Sequence, residues 1–311
     1  MSRIESDIPM KPQPDSLTEG CGLCGSTSAR ELYTARDRFG NSDESFAIVQ
    51  CNGCGVLRTL PKLSDAELAI FYPDAYWGGP DPSWEWISSS QYEKTRFLAR
   101  CGLSNGSILD VGCGAGFFLR ALDSKKWDRF GVETSAAAAK ATEAAIGSGH
   151  VFTGPLTVSS WEAAQFDVIT FWSALEHTNE PRINLSEARR IVKPGGTLIV
   201  QLPNAASYQA RLFGGDWFAL DAPRHRYHFT LPVLERLLSE IGFEVYRTTY
   251  FSKAHNSHAL KHSLKTRLVT KSSSAINHGL FYLSVPFVKP FDIAMSAFGK
   301  GATLTLAARA V

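Results

Sequence analysis

Apolar residues along the chain fall in short runs that alternate with stretches of helical spacing. Runs at 108–111, 129–133, 167–172, 197–202, 244–250 and 303–310 read as strands, and 117–125, 135–145, 182–191 and 231–241 as helices. The last helix is well bounded: Thr230 is placed to cap it, Pro232 lies in its first turn, and Gly242 follows its end. Strands and helices alternating at this spacing predict an α/β domain, doubly wound on a mostly parallel sheet. A ligand of such a sheet sits outside the carboxyl ends of the strands. Upstream, strand-like runs at 31–34 and 45–50 lie between two echoes of one pattern, Cys21-Gly-Leu-Cys24-Gly25 and Cys51-Asn-Gly-Cys54-Gly55.

With 311 residues, the chain can hold a large domain plus a small module. The hydrophobic fraction of 44% and charged fraction of 20% exclude a wholly disordered chain and a multi-span membrane protein. A formal net charge of +2 gives no global field for nucleic acid, so no nucleic-acid partner is expected. The polar start, with Pro9, Pro12 and Pro14, has no apolar run after its basic residue. Residues 1–16 are therefore expected to be a mobile tail without a signal peptide, and the protein to be cytoplasmic. The expected organisation continues with a cysteine module over 17–75, then an aromatic-rich linker or helical region over 76–104. That region is announced by Phe71, Tyr72, Tyr76, Trp77, Trp84 and Trp86, and the main domain covers 105–311.

Asp110-Val-Gly112-Cys-Gly114-Ala-Gly116 follows a predicted strand and opens a predicted helix. Its glycines allow a tight turn and close approach of a ligand to the backbone. Glu133 ends the next strand, where a carboxylate can accept hydrogen bonds from both hydroxyls of a ribose. The spacing is GxGxG, not the GxGxxG of dinucleotide sites, and Asp110 would repel a pyrophosphate while attracting an amino group. Those features favour S-adenosylmethionine over NAD.

The stretches LDVGCGAGFFL, GVETS, FDVITFWSALEHTNEP and VKPGGTLIVQLPN, in that order, resemble class I S-adenosylmethionine-dependent methyltransferases over roughly residues 105–250. The resemblance implies a Rossmann-like, seven-stranded sheet. It implies that Gly112, Gly114 and Gly116 line the methionine moiety with Asp110 nearby, and that Glu133 takes the ribose. Trp172 and Ser173 would flank cofactor or substrate. Many relatives carry an acid near 153–156 for the adenine amino group. Thr153-Gly154-Pro155-Leu156 has none, so backbone groups or Leu156 packing must serve.

The two CxxCG units, 26 residues apart, look like paired knuckles of a zinc ribbon, with Cys21, Cys24, Cys51 and Cys54 as tetrahedral ligands. Four thiolates would close the coordination sphere, which makes the expected metal structural. Reduced unliganded cysteines or two disulfides are the alternative. The order CGLCG, ARDRFG, CNGCG, FYPDAYW resembles bacterial methyltransferases associated with saccharide modification.

Methyl transfer to a hydroxyl needs a base. His177, just after the fourth strand of the domain, and His225 and His228, in the PRHRYHF stretch, are the candidates. By resemblance that stretch covers the active site, with His225 favoured as base or substrate contact. Arg224 and Arg226 are candidates for an anionic group on the substrate. Alternatively, these histidines serve loop carbonyls, and Glu176 pairs with His177. His255, His258 and His262 would share a helix face, as a wet surface or a metal site.

Between 245 and 291 there is no Asp or Glu but seven Lys and Arg. This segment is +7 and the remainder, 2 − 7, is −5. An apolar run at 279–288, broken by Pro286, is too short to span a bilayer. The insertion 252–300 is either a helix packed on the sheet or at a contact with a second copy, or a peripheral membrane contact through 253–291 at the inner face.

The expected function is transfer of a methyl group from S-adenosylmethionine to a small-molecule, saccharide or lipid-linked saccharide acceptor, by O-methylation. The alternatives are C-methylation of a nucleotide-linked sugar, an RNA or protein methyltransferase, and a non-catalytic binding module.

Overall fold

The computed structural model describes residues 19–40, 42, 44–72, 84–270 and 275–311. The expected N-terminal tail, Tyr76 and Trp77, the side chains of Trp84 and Trp86, and Lys271 lie outside the described residues.

The chain begins with strands β1 (Ala29–Arg36), β2 (Ser45–Cys51) and β3 (Leu57–Leu60), followed by helices α1 (Asp65–Ala69) and α2 (Trp84–Arg100). Alternation then sets in: β4 (Gly106–Val111), α3 (Phe117–Ala121), β5 (Trp127–Glu133), α4 (Ala136–Ile146), β6 (Val151–Thr153), β7 (Phe166–Trp172), α5 (Pro181–Ile191) and β8 (Val192–Pro203). The remaining elements are α6 (Tyr208–Phe213), β9 (Tyr227–His228), α7 (Leu231–Ile241), β10 (Phe243–Thr249), α8 (Asn256–Lys265), α9 (Ala275–Ala297) and β11 (Thr303–Ala310).

Seven strands form the large sheet in the order β10-β11-β8-β7-β4-β5-β6. The pairs from β8 to β6 are parallel, and β11 is antiparallel to both β8 and β10. The mostly parallel Rossmann-like sheet expected from the alternation is thus present, with its order reversing between β4 and β7. That reversal is where a ligand crevice forms in such sheets. Phe166, Ile169, Phe171, Leu198, Val200 and Leu304 are buried and form its core with Leu185, Leu234 and Leu238 of the helices.

Helix α7 matches its sequence signals in extent. Gly242 closes it in the left-handed region at φ 97, although Thr230 makes no side-chain cap hydrogen bond. Helix α3 stops at Ala121, four residues short of the expected end, because Leu122 is extended and Asp123 accepts from the amides of Lys125, Lys126 and Trp127.

The cysteine module is not a separate body. Strands β1, β2 and β3 are antiparallel, and their fourth strand is β9, which comes from the PRHRYHF stretch. One buried cluster joins Phe46, Ile48, Leu68 and Phe71 of the N-terminal region to Phe213, Trp217, Leu220, Leu260 and Val288. At Gly215 a Cβ would lie 2.0 Å from the Thr34 carbonyl, so only glycine permits this approach to β1.

Candidate active site

At the carboxyl end of β4 the backbone turns through Gly112, Gly114 and Gly116, all with positive φ. A Cβ on Gly112 would lie 2.8 Å from Cβ of Ala174, whereas one on Gly114 would meet nothing within 4 Å. Gly112 is thus closed against the chain leaving β7, and Gly114 faces open space. Glu133, buried at the end of β5, accepts from the Gly114 amide (2.8 Å) through one oxygen and from the Ser135 amide (2.8 Å) through the other. Its carboxylate is therefore fixed against the glycine loop. Asp110 accepts from the Thr170 hydroxyl at 2.7 Å. Burial pushes its pKa up to about 7, against the pull of Lys94 and the Thr170 bond. Lys94, from α2, reaches over the rings of Trp172 (5.5 Å) and Phe118 (5.8 Å), and burial lowers it to about 8 while Asp110 opposes the shift. The indole N–H of Trp172 is buried without a hydrogen-bond partner among the described residues. A cradle open at Gly114, a clamped carboxylate at Glu133 and an orphaned indole donor suit a ligand with a ribose, as the sequence predicts. Leu156 is fully buried in the main core, so its side chain is not offered to an adenine ring.

Ser173, at φ 54, swings the chain out of β7 and sets Ala174 on the glycine loop. Glu176 and His177 follow directly. Opposite them lies the 221–229 stretch, its backbone tied in by the Arg226 amide donating to the Glu176 carbonyl (2.9 Å). The rings of His177 and His225 meet edge to face at 4.6 Å. Ligand atoms of Glu176, His177 and His225 all lie within 4.8 Å of one another. His225 Nδ1 faces the Ala219 carbonyl at 3.0 Å, which assigns the proton to Nδ1 and leaves Nε2 as acceptor. Asp221 Oδ2 stands 3.8 Å from that Nε2. Both Glu176 oxygens are buried without a hydrogen-bond partner among the described residues, and burial raises its pKa to about 8. Burial likewise drives His177 down to about 4 and His225 well below its usual value. At neutral pH the group is a neutral carboxylic acid beside two neutral imidazoles. That arrangement can accept and share a proton, and its donor set also suits a divalent cation.

His228, its ring 6.4 Å from that of His225, is 3% exposed, and its Nε2 is 2.9 Å from the Thr59 hydroxyl of β3. Thr59 also donates to the His225 carbonyl at 2.7 Å, so His228 and Thr59 brace the loop. One expectation for this loop is corrected: Arg224 and Arg226 do not await an anion. Arg224 is fully buried and bridges Asp221 (2.6 Å), Asp37 (2.7 Å) and the Phe71 carbonyl (2.6 Å). Arg226 bonds Asp65 at 2.8 Å and the Leu63 carbonyl. The sequence pattern does not single out Thr59, Lys94 or Asp221. Tyr72, conspicuous there only as an aromatic, has its hydroxyl 3.3 Å from His177 Nδ1. The rings of His258 and His262 lie 4.2 Å apart, tilted by 35°, and both meet Phe218, while His255 meets Ser252.

The four expected thiols converge. Cys21 and Cys54 are 3.7 Å apart, Cys24 and Cys51 3.5 Å, and all four sulfurs lie within 4.8 Å of one another. A tetrahedron of thiolates about 2.3 Å from zinc requires sulfurs about 3.8 Å apart. Cys21 is pulled down to about 4, chiefly by its bond with Cys54, whose own thiol the same contact pushes up. Backbone amides of Leu23 and Cys24 face the Cys21 sulfur, and Val56 faces Cys54. Arg182 and Arg236 hold the carbonyls of Leu23 and Cys54, which clamps both knuckles to the main domain.

A family model described as "Methyltransferase domain" matches residues 86–248. The chain is similar to the ubiquinone biosynthesis O-methyltransferase of Thiobacillus denitrificans, with 29% identity over 203 residues covering 61% of this chain and 88% of that protein. The protein of the same name from Methylococcus capsulatus is 24% identical over 161 residues, 49% of this chain and 68% of that one. Among solved structures, a SAM-dependent methyltransferase from Archaeoglobus fulgidus matches with a TM-score of 0.51 and 17% identity, covering 76% of this chain and 97% of that chain. This last likeness is one of fold.

Proposed function

The chain belongs to the methyltransferase-domain family and uses S-adenosylmethionine as methyl donor, and on that premise we propose that its acceptor atom is a hydroxyl oxygen placed over His225. The observation that carries this is the junction at Ala174. The same few residues that close the glycine loop lead straight into Glu176 and His177, which face His225.

Gly112, Gly114, Glu133 and Trp172 would hold the cofactor, which supplies an already activated methyl group on a sulfonium sulfur. The chain's own task is then to align the acceptor, exclude water and take its proton. Nε2 of His225 receives the hydroxyl proton, and Asp221, 2% exposed at its side chain, stabilises the imidazolium so formed. Glu176, kept neutral by burial, adds no charge that would hold the proton on the acceptor. The names of the relatives support O-methylation. They give no support to a saccharide, so that acceptor class rests on the N-terminal resemblance alone. C-methylation of a nucleotide-linked sugar is disfavoured, because the two arginines best placed in sequence to meet a diphosphate are turned inward. We also assign a structural zinc to Cys21, Cys24, Cys51 and Cys54, supported by the sulfur spacing.

The test uses isotope-labelled S-adenosylmethionine and a panel of aromatic and sugar hydroxyl compounds. Label is expected in an ether, and His225→Gln should slow transfer by about 10²- to 10⁴-fold without changing cofactor affinity. Label in a new carbon–carbon bond, or full activity in the variant, would overturn the reading.

A further inference from the structure

Among the described side chains of α9, Val288, Asp292 and Ser296, one helical turn apart, form a buried stripe that is polar at two of its three positions. Asp292 accepts from the Tyr208 hydroxyl (3.2 Å) and the Gln209 amide (3.3 Å), and Ser296 from the Asn256 amide (3.0 Å). On the outside, Leu283 and Phe287 are each 71% exposed and Phe291 50%. At about 100° per residue these three fall within about 80° of one another, centred about 140° from the buried stripe, with Phe291 at the edge packing edge to face on Tyr208 at 5.1 Å. Ile293 and, just past the helix, Phe298 add to the exposed apolar surface. An ordinary surface helix has the opposite arrangement, with its apolar face turned in.

Lys253, Lys261, Lys265, Arg267, Lys289 and Lys300 are exposed on α8, α9 and the turns beside them, and the sequence from 245 to 291 holds no acid. No described helix is long and apolar enough to cross a membrane, and Pro286 and Pro290 interrupt α9. An exposed apolar face on a strongly basic segment, on a helix that carries Lys289, Asp292 and two prolines and does not qualify as a span, matches a helix lying in the headgroup layer of a bilayer. A second copy suits it less well, since a two-fold contact would set the same cations against one another. The face also adjoins the acceptor loop. Helix α8 packs His258 and His262 on Phe218, three residues before Asp221.

We propose that the exposed face of α8 and α9 docks on an anionic lipid bilayer, which presents an amphiphilic acceptor to the 221–229 loop. The claim about the acceptor rests on the methyl-transfer reading; the docking claim does not. The full chain is sedimented with phosphatidylcholine vesicles with and without phosphatidylglycerol, and S-adenosylmethionine binding is measured on the same samples. Binding to the anionic vesicles at low salt is expected, weaker by about tenfold or more in high salt or without phosphatidylglycerol. A Leu283→Ser/Phe287→Ser variant and a Lys253→Glu/Lys261→Glu/Lys265→Glu variant should each lose it while cofactor affinity holds. Failure of the wild-type chain to sediment at low salt, or sedimentation undiminished in both variants, would overturn the proposal. So would a solution dimer that the serine variant converts to monomer. Loss of cofactor binding in the wild-type chain would instead strike the methyl-transfer reading.

Discussion

Glu176 shows how burial, acting on one side chain, writes a pH dependence into the protein. Its folded-state pKa of about 8 stands above the usual carboxyl value, so the folded chain keeps a proton that the unfolded chain releases. Its contribution to stability is present at acid pH and is lost as pH rises from about 4.5 to about 8. Glu176→Gln should therefore gain stability over the wild type across that interval and keep a constant advantage above it. Thermal melts from pH 4 to 9 test this; parallel curves for the two proteins would contradict it. The histidines work in the other direction. His177 and His228 are held at about 4, below the usual value of 6.5, so the unfolded chain binds their protons first. Their contribution is present above pH 6.5 and falls away towards pH 4. Legibility at this scale followed sequence distance. The loop formed by Glu133 and the three glycines is legible because local spacing sets it, as the Gly114 amide bonded to Glu133 shows. Arg224 could not be read correctly, because Asp37 and the Phe71 carbonyl reach it from more than 150 residues away.

The element that changes the picture most is β9. Only Tyr227 and His228 long and without an alternating pattern of its own, it is a strand only because β3 is there to pair with it. Through it, the cysteine ribbon and the 221–229 loop share one sheet, so a metal at the four thiols would support the position of His225. One zinc per chain is expected by metal analysis. Cys51→Ser should lose it, melt lower, and lose activity together with the metal. Thr59→Val isolates the coupling: about a tenfold fall in kcat with unchanged cofactor affinity is expected from two lost hydrogen bonds, and Thr59→Ser should restore most of it. Unchanged turnover in Thr59→Val would show that β3 does not position the loop. The longer strands and helices of the main domain were readable from periodicity, but β6, three residues, and α6, six residues, are too short to show one; α9 reads as generally apolar, and which face it buries is decided by Tyr208, Gln209 and Asn256 in its neighbours.

On the scale of the whole molecule, the alternation of elements specified the doubly wound sheet, and the charge map marked one segment as different. What it could not reveal is that the N-terminal module and the C-terminal helices share a core, since Phe46, Trp217 and Val288 come together only in the folded chain. The N-terminal strands, the 213–222 stretch and helices α8 and α9 thus share one buried cluster. In the cofactor pocket a ribose would displace or join the backbone amides now held by Glu133. Titration calorimetry of S-adenosylmethionine into the wild-type protein and Glu133→Ala tests that most directly. One equivalent bound by the wild type, with affinity about 10- to 100-fold weaker in the variant, is the predicted result. No heat of binding at millimolar cofactor, or equal affinity in both proteins, would contradict it.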